Sequence, residues 1–371
     1  MNGHVRAKPG LRPMVLAGML ATIAAAYVPA SSAVAQPAPD QRVRTAQISS
    51  PARNAAERRL ETRIGELGRA FNGDVGIAVR DVETGFATAF DGNSFFPQQS
   101  VSKFWVALTA FDRADQGMLD LDQRVTLTRS DLTLFHQPIA AQIGANGYTT
   151  TLNSLMFRAL TQSDNTCNDF VLRRAGGPEA VRAMLRSKRL EGIRFGPGER
   201  LLQAGLAGLN GWRPEYVGQG FYTARSSLPL SVRQSAFNRY VADPVDGATP
   251  LGIVDALARL QRGELLSRGS TERLLSIMSQ TRTGAQRLKG GLQPGWRLAH
   301  KTGTGQVLGS VQTGYNDIGV LTSPDGRHYA VSVMIRRTAA PLGQRMALMQ
   351  NTVRAVIDYS RGDGGYSYSA R

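Results

Sequence analysis

Three short polar motifs, far apart along the chain, constrain it more than any other feature: Ser100-Val101-Ser102-Lys103, Ser163-Asp164-Asn165 and Lys301-Thr302-Gly303. Of the 44 basic residues only Lys8, Lys103, Lys188, Lys289 and Lys301 are lysine; arginine supplies the rest. Arginine holds its proton too tightly to act as a base, whereas a buried lysine can become a neutral amine. Lysine at 103 and 301 therefore points to chemistry that arginine cannot perform. A serine hydroxyl is a weak nucleophile until a neighbouring base removes its proton. Placing Lys103 three residues after Ser100 on a helix brings the amine onto the serine's face. Ser-x-x-Lys also arises by chance as an exposed helical pair. Here Phe104, Trp105, Val106 and Leu108 surround the lysine with apolar residues that favour its neutral form.

The second motif offers another hydroxyl for proton relay, at Ser163, and an amide at Asn165 that both donates and accepts. Ser-Asp-Asn would equally suit a plain helix N-cap. Lys301-Thr302-Gly303-Thr304-Gly305 follows an apparent strand. There the ammonium can polarise a site, and Gly303 would let a substrate lie against the backbone; otherwise the stretch is a strand-end turn. Together the motifs imply serine acyl transfer. Other hydrolase designs fail. No Gly-x-Ser-x-Gly elbow occurs, and His4, His136, His300 and His328 match neither a histidine triad nor a zinc-binding spacing. No metal and no cofactor is expected. By alternation His300 should point away from the site, and His136 reads as an exposed loop histidine near its entrance. The single cysteine, Cys167, excludes an intramolecular disulfide and reads as a buried structural thiol.

Residues 1–35 have the layout of a signal peptide: Arg6, Lys8 and Arg12, an apolar run from Pro13 to about Ala30, then Ala33-Val34-Ala35 before Gln36. The mature protein is then expected in the periplasm or secreted, with no membrane span. Residues 36–55 read as a flexible lead-in and 361–371 as a flexible tail. Strands are expected at 75–79 and 86–90 around a Glu83-Thr84-Gly85 hairpin, and again at 296–301, 315–321 and 329–335. Helices are expected at 57–71, 152–161, 167–174, 178–187, 251–260, 271–278 and 346–359. Gly205 to Gly247, rich in Gly, Pro and Ser, reads as a long loop. The fold class that follows is α/β, of the two-lobed α+β kind. An antiparallel sheet built from both chain ends (56–96 plus 252–360) is flanked by helices, with an all-α domain (97–251) inserted. The net charge of +16 comes without any basic run interleaved with aromatics. No nucleic-acid partner is expected, and an anionic cell envelope accounts for the charge more simply.

In the order and spacing of the three motifs the chain resembles the class A serine β-lactamases, within the wider family of penicillin-recognising serine enzymes. The resemblance runs from about residue 56 to 360 and includes Gly176-Gly177-Pro178, Ala248-Thr249-Pro250 and Gly295-Trp296. It implies a β-lactamase/transpeptidase-like fold, a small β-lactam substrate, and a monomer. It also implies roles. Ser100 is the nucleophile, Lys103 its base or proton relay, and Ser163 the donor to the lactam nitrogen. Asn165 binds the substrate amide, while Lys301 and Thr302, flanked by Gly303, hold its carboxylate. The backbone amides of Ser100 and Thr304 form the oxyanion hole. Glu199, 36 residues after Ser163, activates the deacylating water, and either it or Lys103 is the acylation base. Arg336, Arg337 and Arg345 are candidates for contact with the substrate carboxylate.

Departures from the family pattern cluster near Glu199. Glu199-Arg200-Leu201-Leu202-Gln203 places glutamine at the water-positioning site where the family has asparagine, and a long insertion follows. The arginine and aspartate that usually clamp this loop have no equivalents near Pro197 and Trp212. A D-alanyl-D-alanine carboxypeptidase or penicillin-binding protein is the alternative enzyme, and Glu199 argues against it. A noncatalytic envelope-binding protein is the alternative of another class, and it would have to keep all three motifs without use.

Overall fold

The computed structural model describes residues 51–362; the expected signal peptide, most of the lead-in and nearly all of the tail lie outside them. Helix α1 (Pro51–Ala70) leads into β1 (Asp74–Asp81) and β2 (Ala87–Phe90), the expected hairpin. A short β3 (Phe96–Pro97) precedes a 3-10 turn at Gln99–Ser102 and then α2 (Lys103–Asp115). A two-stranded ribbon of β4 (Arg124–Leu127) and β5 (Tyr148–Thr151) opens a helical series. This comprises α3 (Leu152–Thr161), α4 (Asn165–Arg174), α5 (Gly177–Ser187), α6 (Glu199–Ala207), α7 (Gln219–Ser227) and α8 (Leu230–Ala242). After β6 (Gly247–Ala248), which pairs with β3, come α9 (Pro250–Gln261) and α10 (Arg268–Ser279). The chain then returns to the sheet through β7 (Arg297–Thr304), β8 (Val307–Leu308), β9 (Val311–Thr322) and β10 (His328–Thr338), and ends on α11 (Leu342–Gly362).

The main sheet runs β2-β1-β10-β9-β7, antiparallel throughout, with β8 paired to β9. Strands before and after the helical series thus share one sheet, as expected. Alternation of side chains divides its faces. Val75, Ile77 and Val79 join Val331, Val333 and Ile335 beneath α1 and α11, meeting Leu60, Ile64, Val353 and Val356. Ala78, Ala330, Met334, Ile318 and Val320 face the other way, onto Ile253 and Leu257 of α9 and the apolar side of α2. Burial on both faces fixes the register, for a one-residue slip would reverse every strand's apolar set. No helix among the described residues is long and apolar enough to cross a membrane.

The largest difference from expectation lies in 205–247. Instead of a long loop it holds the end of α6 and two further helices, α7 and α8. Gly208, Gly211 and Gly218 sit at positive φ between helices, while Gly205 and Gly220 lie within α6 and α7. Ala236, Phe237, Tyr240 and Val241 form a helical stripe on α8. Phe237, Tyr240 and Val241 pack on Leu202 and Leu206 of α6. Fully buried Phe221 of α7 packs with Leu134, Ala204, Ala207 and Leu209. Turn-forming residues dominate the composition and hide this spacing. Smaller differences lie at the ends, where α1 already begins at Pro51 and α11 reaches Gly362.

Candidate active site

Ser100 lies on the 3-10 turn that feeds α2, and Lys103 is the first residue of that helix. Side chains at i and i+3 eclipse in a 3-10 turn, and the Lys103 Nζ donates to Ser100 Oγ at 2.8 Å. The same buried amine donates to Asn165 Oδ1 at 2.8 Å and to Glu199 Oε1, with which it forms an ion pair. One nitrogen therefore joins groups from three separate segments. The turn itself is held against its own preference. Gln99 has a left-handed φ of 52°, sterically unfavourable for a non-glycine residue, and its N–H donates to Asp246 Oδ2 at 2.8 Å. Gly303 fits closely behind: a Cβ there would lie 2.3 Å from Gln98 O. Glycine at 303 is thus needed for the contact between β7 and the turn that carries Ser100, which is a different reason from the expected approach of substrate.

Helix α6 presents Glu199 and, one turn on, Gln203. Its first N–H groups, of Glu199 and Arg200, donate to the Asp169 carboxylate at 2.9 and 3.1 Å, filling the role of an N-cap. Burial, then the charge of Glu199, pushes the Asp169 carboxyl up to about 6. Gln203 Nε2 donates to Glu199 Oε2 and to Gln99 Oε1, both at 3.1 Å. Gln203 Oε1 accepts from Gln306 Nε2, also at 3.1 Å. The longer side chain is therefore pinned at both ends. Gln99 Nε2 in turn donates to Tyr240 Oη at 2.5 Å, and Tyr240 donates to Asp246 at 2.9 Å. Burial pushes the Asp246 carboxyl up to about 7 despite the hydrogen bonds from Tyr240 and Gln99 that oppose it. Tyr240 and Asp246 hold this segment from within, and Arg194 pairs with Asp243 across its two ends, an arginine–aspartate clamp that the sequence did not reveal.

The other motifs meet the first. Ser163, at a φ of 62°, accepts from Lys301 Nζ at 3.0 Å. Burial, then the nearby Lys103 charge, lowers the Lys301 ammonium well below the usual lysine range. Asp164 caps α4 through Cys167 N at 2.9 Å, so the N-cap and the Ser163 hydroxyl expected to relay a proton coexist in one tripeptide. Thr302 Oγ1 and Thr283 Oγ1 lie 2.6 Å apart. Arg287, carried by no motif, donates to Gly303 O at 3.0 Å, Asn316 O at 2.7 Å and Thr304 Oγ1 at 2.5 Å. The arginines singled out in sequence are occupied elsewhere: Arg336 with Phe95 O, Arg337 with Asp74 and Arg345 with Ala340 O. His300 is buried against Asp317, and His136 contacts Gln162 O at 2.9 Å. Cys167 is free and buried.

Ser100, Ser163, Thr302 and Thr304 line one cleft of about 290 Å³, together with Thr283, Phe135, His136 and Tyr222. Lys103, Asn165, Glu199, Gln203 and Lys301 are buried behind it. A larger surface cavity of about 530 Å³, lined by Arg182, Arg186, Arg189 and Arg194, contains none of the motif residues. Size does not identify the site; convergent polar groups with perturbed proton affinities do. Of the groups that sequence reasoning missed, Asp246 alone left a trace, just before the Ala248-Thr249-Pro250 stretch. Arg287, Thr283, Tyr222 and Tyr240 left none.

A family model described as the beta-lactamase enzyme family matches residues 59–360. The β-lactamase VEB-1 of Pseudomonas aeruginosa is 27% identical over 283 residues, 76% of this chain and 84% of its own length. Among solved structures, a β-lactamase from Chitinophaga pinensis superposes with a TM-score of 0.67 at 25% identity, covering 81% of this chain and 99% of its own. An ancestral class A β-lactamase superposes with a TM-score of 0.62 at 30% identity, covering 80% of this chain and 98% of its own. The chain belongs to the β-lactamase enzyme family and groups there with the class A enzymes.

Proposed function

We propose that the protein is an exported serine β-lactamase that opens the lactam amide through an acyl-enzyme on Ser100. The observation that carries this reading is the single Lys103 amine bonded at once to Ser100 Oγ, Asn165 Oδ1 and Glu199 Oε1. As Ser100 Oγ attacks the lactam carbonyl, its proton passes to Lys103 or, through it, to Glu199. The developing oxyanion meets the backbone amides of Ser100 and Thr304. The C–N bond breaks, and the nitrogen takes a proton from Ser163, which recovers the proton lost by Ser100 through Lys103, so that Glu199 is ionised again and Lys301 keeps its own proton. Glu199 then removes a proton from water, the water oxygen attacks the ester carbonyl, and Ser100 Oγ leaves and regains its proton. Burial and the nearby Lys103 charge depress the proton affinity of Lys301, and a carboxylate in direct contact would raise it again. A substrate carboxylate beside Thr302 and Thr304 supplies that contact. Arg287, fixed under Thr304, adds a permanent positive charge to the same wall.

Deacylation is the step on which the reading stands. Wild type should turn over a chromogenic cephalosporin, and Glu199→Ala should release one equivalent in a burst and then stall with the acyl group on Ser100. Stopped-flow kinetics with intact-mass analysis separates the two steps. A wild type that itself stalls after one turnover would make this a penicillin-binding protein, and a Glu199→Ala variant as fast as wild type would remove Glu199 from the mechanism.

A further inference from the structure

Apart from His136, whose ring contacts Gln162 O, the cleft lining divides into two chemistries. Ser100, Ser163, Thr283, Thr302 and Thr304 supply hydroxyls, whereas Phe135 and Tyr222 supply aromatic surface. Tyr222 belongs to α7, inside the long segment after Glu199. It is 45% exposed, although its neighbour Phe221 is wholly buried. The two rings meet at 5.3 Å in an edge-to-face contact. Phe221 in turn meets Phe135 at 6.1 Å in the same geometry. Phe135 sits at a φ of 71°, a conformation that persists only where the surroundings impose it. Tyr222 is therefore held from behind by a buried aromatic while presenting an open face to the cleft. A large ring that is fixed in place yet uncovered has its stabilising contact in reserve for a ligand.

We propose that Tyr222 is a specificity-determining residue whose ring receives a planar aromatic acyl substituent of a β-lactam whose carbonyl lies at Ser100. This rests on the lactam-hydrolase reading. The hydroxyl-rich lining engages the polar parts common to such substrates, so the aromatic lining is left to discriminate among their side chains. Tyr222 touches none of the proton-transfer groups, and its effect should appear as a preference between substrates.

The test compares a penicillin bearing a phenylacetyl side chain with the same nucleus bearing a free amine, using the whole protein. For Tyr222→Ala the ratio of kcat/KM for the first over the second should fall about fivefold, mainly through KM. Tyr222→Phe should keep the wild-type ratio, because the ring and not the hydroxyl makes the contact. Equal loss on both substrates, or an unmoved ratio, overturns the proposal and leaves the hydrolase reading intact. Hydrolysis of neither substrate by wild type overturns the hydrolase reading, and the proposal with it.

Discussion

At the scale of single residues, the proposed mechanism needs groups that can exchange a proton, and it assigns that part first to Lys103. Its amine is fully buried beside Glu199, where a permanent charge could pair but could not act as a base. Lys103→Arg keeps the charge and removes the ability to lose a proton. Acylation should fall at least about a hundredfold, read as single-turnover labelling by a penicillin; near wild-type labelling would mean that only the charge is needed. Ser100→Ala should abolish the adduct altogether, and an adduct on that variant would place the nucleophile elsewhere. These residues were legible in the sequence because each carries a motif whose spacing reflects local geometry. Arg287 was not, because its contacts to Gly303, Thr304 and Asn316 come from tertiary packing of a turn onto the sheet. Several arginines compete for such a role in a chain this rich in them, and nothing local distinguishes one from another.

At the scale of elements, the sheet was legible because its strands, buried on both faces, are short apolar runs rich in β-branched and aromatic residues. Helices α7 and α8 were not, because the glycines before α7, Pro229 between the two and Ser226, Ser227, Ser231 and Ser235 inside them masked their apolar spacing. They matter to the site, for α8 delivers Tyr240 to the hydrogen-bond network behind Ser100. Its hydroxyl accepts from Gln99 and donates to Asp246, and Gln99 bonds Gln203 beside Glu199. Tyr240→Phe removes only that hydroxyl and leaves both buried partners short of one bond, at a cost of about 1–3 kcal/mol. Loosening Gln99 and Gln203 should also slow deacylation about tenfold while acylation changes less. Denaturant midpoints and single-turnover rates measure the two effects separately. A loss of stability with wild-type deacylation would reduce α8 to a packing element.

At the scale of the whole molecule, stability against pH is set by opposing contributions. With a net charge of +16 near neutrality, acid adds positive charge and self-repulsion, which disfavours the compact state. Asp246 works in the other direction. Its folded-state value of about 7 stands above its ordinary 3.8, so between these limits the folded chain binds more protons than the unfolded one. Its contribution is complete below the unfolded value and is lost as pH rises through about 7. Asp169, raised to about 6, has the same sign over a narrower window. Asp246→Asn isolates one of these from the global charge. Its amide oxygen can keep the Gln99 N–H bond, its amino group can face Tyr240 as a protonated acid would, and it does not titrate. The stability of wild type relative to Asp246→Asn should therefore decline from about pH 4 to about pH 7, at up to about 1.4 kcal/mol per unit, and be level on either side. Urea midpoints of both proteins across pH 4 to 8 measure this difference directly. A difference that does not vary with pH would mean that Asp246 stays ionised throughout, held by Tyr240 and the Gln99 amide alone.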